Sequence, residues 1–236
     1  MNGVPAKKAC LESDETAATL DNTGNATINS HPLTLDWKHS SEKYNLLIAC
    51  TGSVACIKLT ELLSEIKKCS SKYEEKLNIR IVATNNALKF FDRDSLNVPV
   101  IDDCLEWDCW KGRGDPVIHI ELRRWAHMLL IAPLDANTLA KIANGLCDNL
   151  VTSVVRAWDF NRPVYFCPAM NTYMWDNPLT VQHLNTLKNL LNFREIPCVE
   201  KTLICGDKGY GAMAALPMIA SVVASEVKKH FAIYTG

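Results

Sequence analysis

NLLIACTGSVACIKLTELLSEIKK, residues 45–68, reads as a strand, a tight turn and a helix in succession. Its first six residues are apolar except for Asn45, and a continuous run of this kind suits a strand buried on both faces. Thr51, Gly52 and Ser53 end the run. Beyond them Leu59, Leu62, Leu63 and Ile66 recur at helical spacing.

The same pattern repeats along the chain. LNIRIVA (77–83) precedes a short helix candidate, TNNALKFF (84–91), and HMLLIAP (127–133) precedes ANTLAKIANG (136–145). VYFCP (164–168) lies ahead of a helix expected across 178–191, and a last amphipathic helix is expected over 217–231. Short apolar runs alternating with helices predict an α/β fold, a three-layer Rossmann-like (flavodoxin-like) parallel sheet with helices on both faces. Ligands of such sheets lie beyond the carboxyl ends of the strands, so the turns after each strand are where chemistry is expected.

Residues 1–43 are rich in Ser, Thr, Asn, Asp and Ala, with no apolar period, and read as a disordered tail ahead of one domain over 44–236. A chain of 236 residues, 48% hydrophobic and 22% charged, has material for one substantial core. A net charge of -1 supplies no broad positive field, which argues against nucleic-acid binding. No apolar run approaches the roughly 20 residues that span a bilayer, and the start MNGVPAKKACLESDE lacks the apolar stretch of an export signal, so a soluble, cytoplasmic protein is expected. In that setting the ten cysteines read as thiols. No C-x-x-C pair occurs, and no metal site is expected.

Three turns and two further segments carry polar residues that suit a ligand. In TGSVA (51–55), Gly52 and Ser53 stand where a helix begins and could meet a phosphate; an ordinary N-cap at Ser53 explains them equally well. APLDANT (132–138) sets Asp135, Ala136, Asn137 and Thr138 at a strand end, where they could read the polar edge of a heterocycle or simply cap the next helix. In CPAMNTYMW (167–175), Asn171 could be an Asx-turn residue, and Met170, Met174 and Trp175 could be core. His119 lies in PVIHIELRRWA beside Glu121, Arg123 and Arg124; these arginines could grip an anion or pair with Glu121 on a solvated helix face. Cys205 lies among Gly206, Gly209 and Gly211, a turning loop that sets it apart from Cys50, Cys56 and Cys167 with their apolar neighbours.

Taken together, TGSVA, HIELRRWA, APLDANT, PAMNTYMW and CGDKGYGAMA resemble the signature blocks of the phosphopantothenoylcysteine decarboxylases, part of a wider group of homo-oligomeric flavin-containing cysteine decarboxylases. The resemblance runs from Tyr44 to the final helix. It implies FMN held by Gly52, Ser53, Thr84, Phe90 and Asp135 to Thr138, with His119 as the active-site histidine reaching a flavin bound mainly by a neighbouring subunit. It implies that Asn171, supported by Met174, orients the substrate carboxylate, that Cys205 is the proton-donating thiol, and that the active sites lie at the interfaces of a homotrimer. Cys56 and Ala215 depart from the family, which often has alanine and an acidic residue there; neither is a proposed catalytic position.

The implied chemistry has a physical logic. Loss of carbon dioxide from a cysteine carboxylate leaves a carbanion with nothing beside it to delocalise the charge, and oxidation of the thiol to a thioaldehyde supplies the missing electron sink. A rival of another class is a flavin-binding regulatory subunit that inhibits a protein phosphatase; the presence of His119, Asn171 and Cys205 together favours the enzyme. A nicotinamide dehydrogenase is disfavoured because no G-x-G-x-x-G follows the first strand.

Overall fold

All seven residues of the first strand, β1 (Tyr44–Cys50), are buried, in keeping with a run that is apolar but for Asn45. The structure is a computed structural model that describes Trp37, residues 42–202 and residues 208–233. The tail expected over 1–43 and Cys205 therefore lie outside the described residues, apart from Trp37, Glu42 and Lys43. Trp37 lies over the Arg80 guanidinium, 4.8 Å from ring centroid to carbon.

β1 pairs in parallel with β2 (Leu77–Ala83), and β2 with the two-residue β3 (Val100–Ile101). On its other side β1 pairs with β4 (Met128–Leu134), followed outward by β5 (Val164–Pro168) and the short β6 (Arg194–Glu195). The order is β3-β2-β1-β4-β5-β6, with every pair parallel. The chain thus winds outward in both directions from β1, and the reversal falls between β1 and β4, where a doubly wound sheet opens a crevice.

Alternation along β1 divides the core into two layers. Leu46, Ile48 and Cys50 join Leu59, Leu62, Leu63 and Ile66 of α1 (Leu59–Cys69) and Ile219, Val223 and Val227 of the last helix (Leu216–Ile233) in one cluster. Truncating Ile66, which is fully buried there, should cost about 2–5 kcal/mol. Leu47 and Ala49 point to the opposite face and are equally buried. Further helices are α2 (Asp103–Asp108), α3 (Ile118–Trp125), α4 (Ala136–Ala143) and α5 (Leu150–Arg156), then the single-turn α6 (Thr172–Trp175) and α7 (Pro178–Asn185); the last helix is α8.

Two local readings are corrected. TNNALKFF forms only a 3-10 turn at Ala87–Lys89, because the Thr84 hydroxyl accepts the Ala87 N–H at 3.3 Å and the Thr84 N–H donates to the Cys50 carbonyl at 3.0 Å. The helix expected over 178–191 is α7 followed by a wider π turn at Thr186–Leu190. Near the end of the chain β7 (Val199–Thr202) and β8 (Lys208–Ala212) form an antiparallel pair, an element the glycines of that region concealed.

Candidate active site

Thr51 fastens the two strand ends that flank the crevice. Its backbone N–H donates to the Pro133 carbonyl at 3.2 Å, its hydroxyl donates to the same carbonyl at 2.9 Å, and that hydroxyl accepts the Asp135 N–H at 2.7 Å. The turn after β1 and the turn after β4 are thereby held edge to edge. Gly52 comes next, where an added Cβ would sit 2.9 Å from Asn86 Cβ and 3.2 Å from Asp135 Oδ2. Only a residue without a side chain leaves that space open.

Ser53, Asp135 and Asn171 each cap a helical segment. The Ser53 hydroxyl accepts the Ala55 N–H at 3.4 Å, Asp135 Oδ1 accepts the Thr138 N–H at 2.9 Å, and Asn171 Oδ1 accepts the Tyr173 N–H at 2.8 Å. The capping reading therefore holds for Ser53 and Asp135, and the Asx-turn reading for Asn171. The ligand reading survives beside it, because all three also line one cleft of about 630 Å3.

That cleft is bounded by Gly52, Ser53, Val54, Ala55, Ile57 and Lys58 after β1, by Asp135, Ala136 and Asn137 after β4, and by Ala169, Met170, Asn171 and Met174 after β5. Gly211, Ala212 and Met213 close the remaining side. This last wall is docked by its backbone. The Met170 N–H donates to the Gly211 carbonyl at 2.9 Å, and the Thr172 hydroxyl donates to the Tyr210 carbonyl at 3.0 Å. Gly211 has φ of 123°, and a Cβ there would press into the Met170 carbonyl oxygen. Glycine is needed on both counts. The β7–β8 pair that flanks Cys205 is in this way clamped against the turn that carries Asn171.

Thr138, Thr84, Phe90 and His119 stand apart from the described wall. Thr138 is buried at the start of α4, Thr84 holds the turn after β2, and Phe90 packs against the core cluster. His119 is on α3, its side chain 30% exposed, with Nδ1 2.7 Å from Glu106 Oε1. Arg124 pairs with Glu121 at 2.7 Å and Arg123 with Asp159 at 3.6 Å, so carboxylates of the chain itself engage both arginines. The buried thiols behave as packing groups: a hydrogen bond with Cys56 and then burial hold the Cys50 thiol well above its ordinary range, and burial does the same at Cys167.

Thr51, which fastens the two strand ends, was missed by reading the sequence, where it looked like the residue that merely stops a strand.

A family model described as flavoprotein matches residues 35–228. Phosphopantothenoylcysteine decarboxylase of Mus musculus is 48% identical over 191 residues, covering 81% of this chain and 91% of the relative. The chain belongs to this family of flavoproteins. The enzyme of the same name from Oryza sativa subsp. japonica is 50% identical over 199 residues, covering 84% of this chain and 86% of the relative. Among solved structures, a PPC decarboxylase mutant complexed with pantothenoylaminoethenethiol superposes with a TM-score of 0.72 at 47% identity, over 79% of this chain and 99% of that one. The FMN binding protein AtHal3 superposes with a TM-score of 0.66 at 48% identity, over 79% and 96%.

The walls suit the family's cofactor. Val54, Ile57 and Met174 offer apolar surface, Ser53, Asn137 and Asn171 offer polar contacts at its margins, and Gly52 leaves a gap that a Cβ would fill. The volume falls within the roughly 300–1,000 Å3 usual for small-molecule sites.

Proposed function

We propose that this protein is an FMN-dependent phosphopantothenoylcysteine decarboxylase, a carboxy-lyase that converts 4'-phospho-N-pantothenoylcysteine to 4'-phosphopantetheine in coenzyme A biosynthesis. The observation that carries this reading is the meeting of three strand-end turns, those of Gly52, Asp135 and Asn171, around one cleft in a chain about half identical to named decarboxylases.

Gly52, Ser53 and Asp135 to Asn137 would hold the flavin, with Thr84, Phe90 and Thr138 supporting the turns behind it. Bound FMN would supply reversible two-electron chemistry, accepting the electrons as the substrate thiol becomes a thioaldehyde, the electron sink for decarboxylation, and returning them to the enethiol so that the cycle is redox-neutral. Asn171 orients the departing carboxylate with an uncharged donor, and Met174 packs beside it. An uncharged group suits this task, since a cation would stabilise the ground-state charge that the reaction must disperse. Cys205 donates the proton that the product carbon gains. His119 manages a proton near neutral pH, as imidazoles do.

Because His119 stands off the wall of its own cleft, we assign it to the cleft of a second copy, in a homotrimer with active sites at subunit interfaces. Its partner Glu106 fixes the imidazole for that role. No helix among the described residues is long and apolar enough to cross a membrane, and we assign the protein to the cytoplasm.

The decisive experiment is to purify the full chain, record its absorption spectrum and assay carbon dioxide release from phosphopantothenoylcysteine. A yellow protein that releases carbon dioxide is expected. A colourless protein that releases none would overturn the reading in favour of the regulatory alternative. A Cys205→Ser variant should release carbon dioxide yet accumulate the oxidised enethiol; normal phosphopantetheine formation would remove Cys205 from the mechanism.

A further inference from the structure

His119 and Glu106 sit on different helices, so their 2.7 Å contact lasts only while α2 and α3 keep their places relative to each other. α3 is held along its length. Ile118, Leu122 and Trp125 are buried, and Arg162 Nη1 closes the last turn by donating to the carbonyls of Arg123 at 2.9 Å, Arg124 at 3.0 Å and Ala126 at 2.6 Å. α2 has less to hold it. Leu105 is its one buried residue of six, Trp107 is 72% exposed, and a helix this short keeps its place through tertiary contacts rather than by itself.

Two aspartates at the start of α2 supply such contacts. Asp102 Oδ1 caps the helix by accepting the Leu105 N–H at 3.0 Å, and its Oδ2 takes the Arg93 guanidinium at 2.9 Å. Asp103 reaches across 47 residues of chain, where its Oδ1 accepts the N–H of Leu150, the first residue of α5, at 2.7 Å. α5 also packs against α3, and Arg162 lies in the segment that follows it. One helix thus mounts both halves of the Glu106–His119 pair. Asp103 and Glu106 are three residues apart on α2 and share a face, so a rotation of α2 that frees one displaces the other.

We propose that Asp103 is a positioning residue for catalysis: by holding α2 on α5 it keeps Glu106 against His119 Nδ1, which fixes the ring proton on Nδ1 and leaves Nε2 as the atom that accepts a proton. This role rests on the decarboxylase reading, with His119 as its proton carrier. Asp103 acts through its acceptor oxygen rather than its charge. Burial pushes its carboxyl above the usual range against the pull of the Leu150 N–H, the Asp102 and Asp148 carboxylates push the same way, and Lys141 opposes them. A neutral amide of the same shape should therefore serve the Leu150 N–H equally well.

The test measures kcat, KM and flavin content of the holoenzyme with Asp103→Ala and with Asp103→Asn, each alone and combined with Glu106→Gln. Asp103→Ala should lower kcat roughly 3- to 10-fold, no more than Glu106→Gln does, because it acts only through that residue. KM and flavin content should be those of the parent, and Asp103→Asn should restore the rate. In the Glu106→Gln background Asp103→Ala should cost less than about twofold. An unchanged kcat in Asp103→Ala, Asp103→Asn as slow as Asp103→Ala, or a loss of full size in the Glu106→Gln background would each overturn the assignment. Should Asp103→Ala fail to fold, Asp103→Ser, whose shorter side chain falls short of the Leu150 N–H, carries the same expectations. Nitrogen NMR of the neutral His119 ring reads the geometry without turnover: Asp103→Ala should move its signals from one Nδ1-protonated form to a mixture of tautomers, and signals identical to those of the parent would refute the role of Asp103. If the parent turns over no phosphopantothenoylcysteine, the decarboxylase reading fails separately, and the NMR comparison still decides whether Asp103 holds the Glu106–His119 contact.

Discussion

Asn171 and His119 are both partly buried polar residues at the starts of short helices, yet the fold treats them in opposite ways. Asn171 caps α6 with one oxygen and borders the cleft. His119 is turned to Glu106, 2.7 Å away, and borders no part of that cleft. Around Asn171 the site is built by convergence, as strand ends of one sheet deliver side chains to a common space. Around His119 no such convergence is seen among the described residues: α3 holds the imidazole against Glu106, away from the cleft. On the proposed reading, the imidazole of His119 would serve the cleft of a second copy.

The sharpest way to break this contrast is to separate the two residues onto different chains. His119→Asn alone should retain flavin but lower turnover by about 100- to 10,000-fold, the range of a lost general acid or base. Mixing and refolding it with Asn171→Asp chains should restore part of the activity, measured as carbon dioxide release; a mixture as inert as its parents would return His119 to its own subunit. Asn171→Asp alone should lower turnover at least about 100-fold through repulsion of the substrate carboxylate. Aspartate caps as well as asparagine, so the melting temperature should stay near that of the parent, and a large fall would make the capping role dominant.

Smaller effects sharpen the two sides of the comparison. Glu106→Gln removes a charge-assisted hydrogen bond from His119 and should slow turnover roughly tenfold at unchanged flavin content. Gly211→Ala should cost about 1–3 kcal/mol in stability through its left-handed backbone and the Met170 carbonyl, read from chemical unfolding. Ser53→Ala should cost about 1 kcal/mol from the lost cap, with weaker flavin retention on dialysis. Unchanged retention would leave Ser53 with capping alone.

Much of this was legible before any coordinates. The strand ends of LNIRIVA and VYFCP coincide with β2 and β5, because a largely buried strand leaves a mostly apolar run with polar or turn-forming residues beyond its ends. Ser53 and Asp135 were recognisable as residues that start helices, and Asn171 as an Asx-turn residue. The two-residue strands β3 and β6 were not, since two residues carry no period to read. α3 was legible only as a possible solvated helix face, which the Arg124–Glu121 pair bears out, while Ile118, Leu122 and Trp125 form its buried stripe.

What the amino-acid order determined by itself was the kind of fold and the chemistry available at each turn, because hydrophobic period and cap residues act over a few neighbours. Which turns share a cleft was decided by the strand order. Thr51 joins β1 to β4 across 84 residues of chain, and Gly211 meets Met170 through backbone contacts that no side-chain pattern encodes. The difference between Asn171 and His119 belongs to the same tertiary level: two helix-start residues look alike in a sequence until packing turns one towards the cleft and the other away.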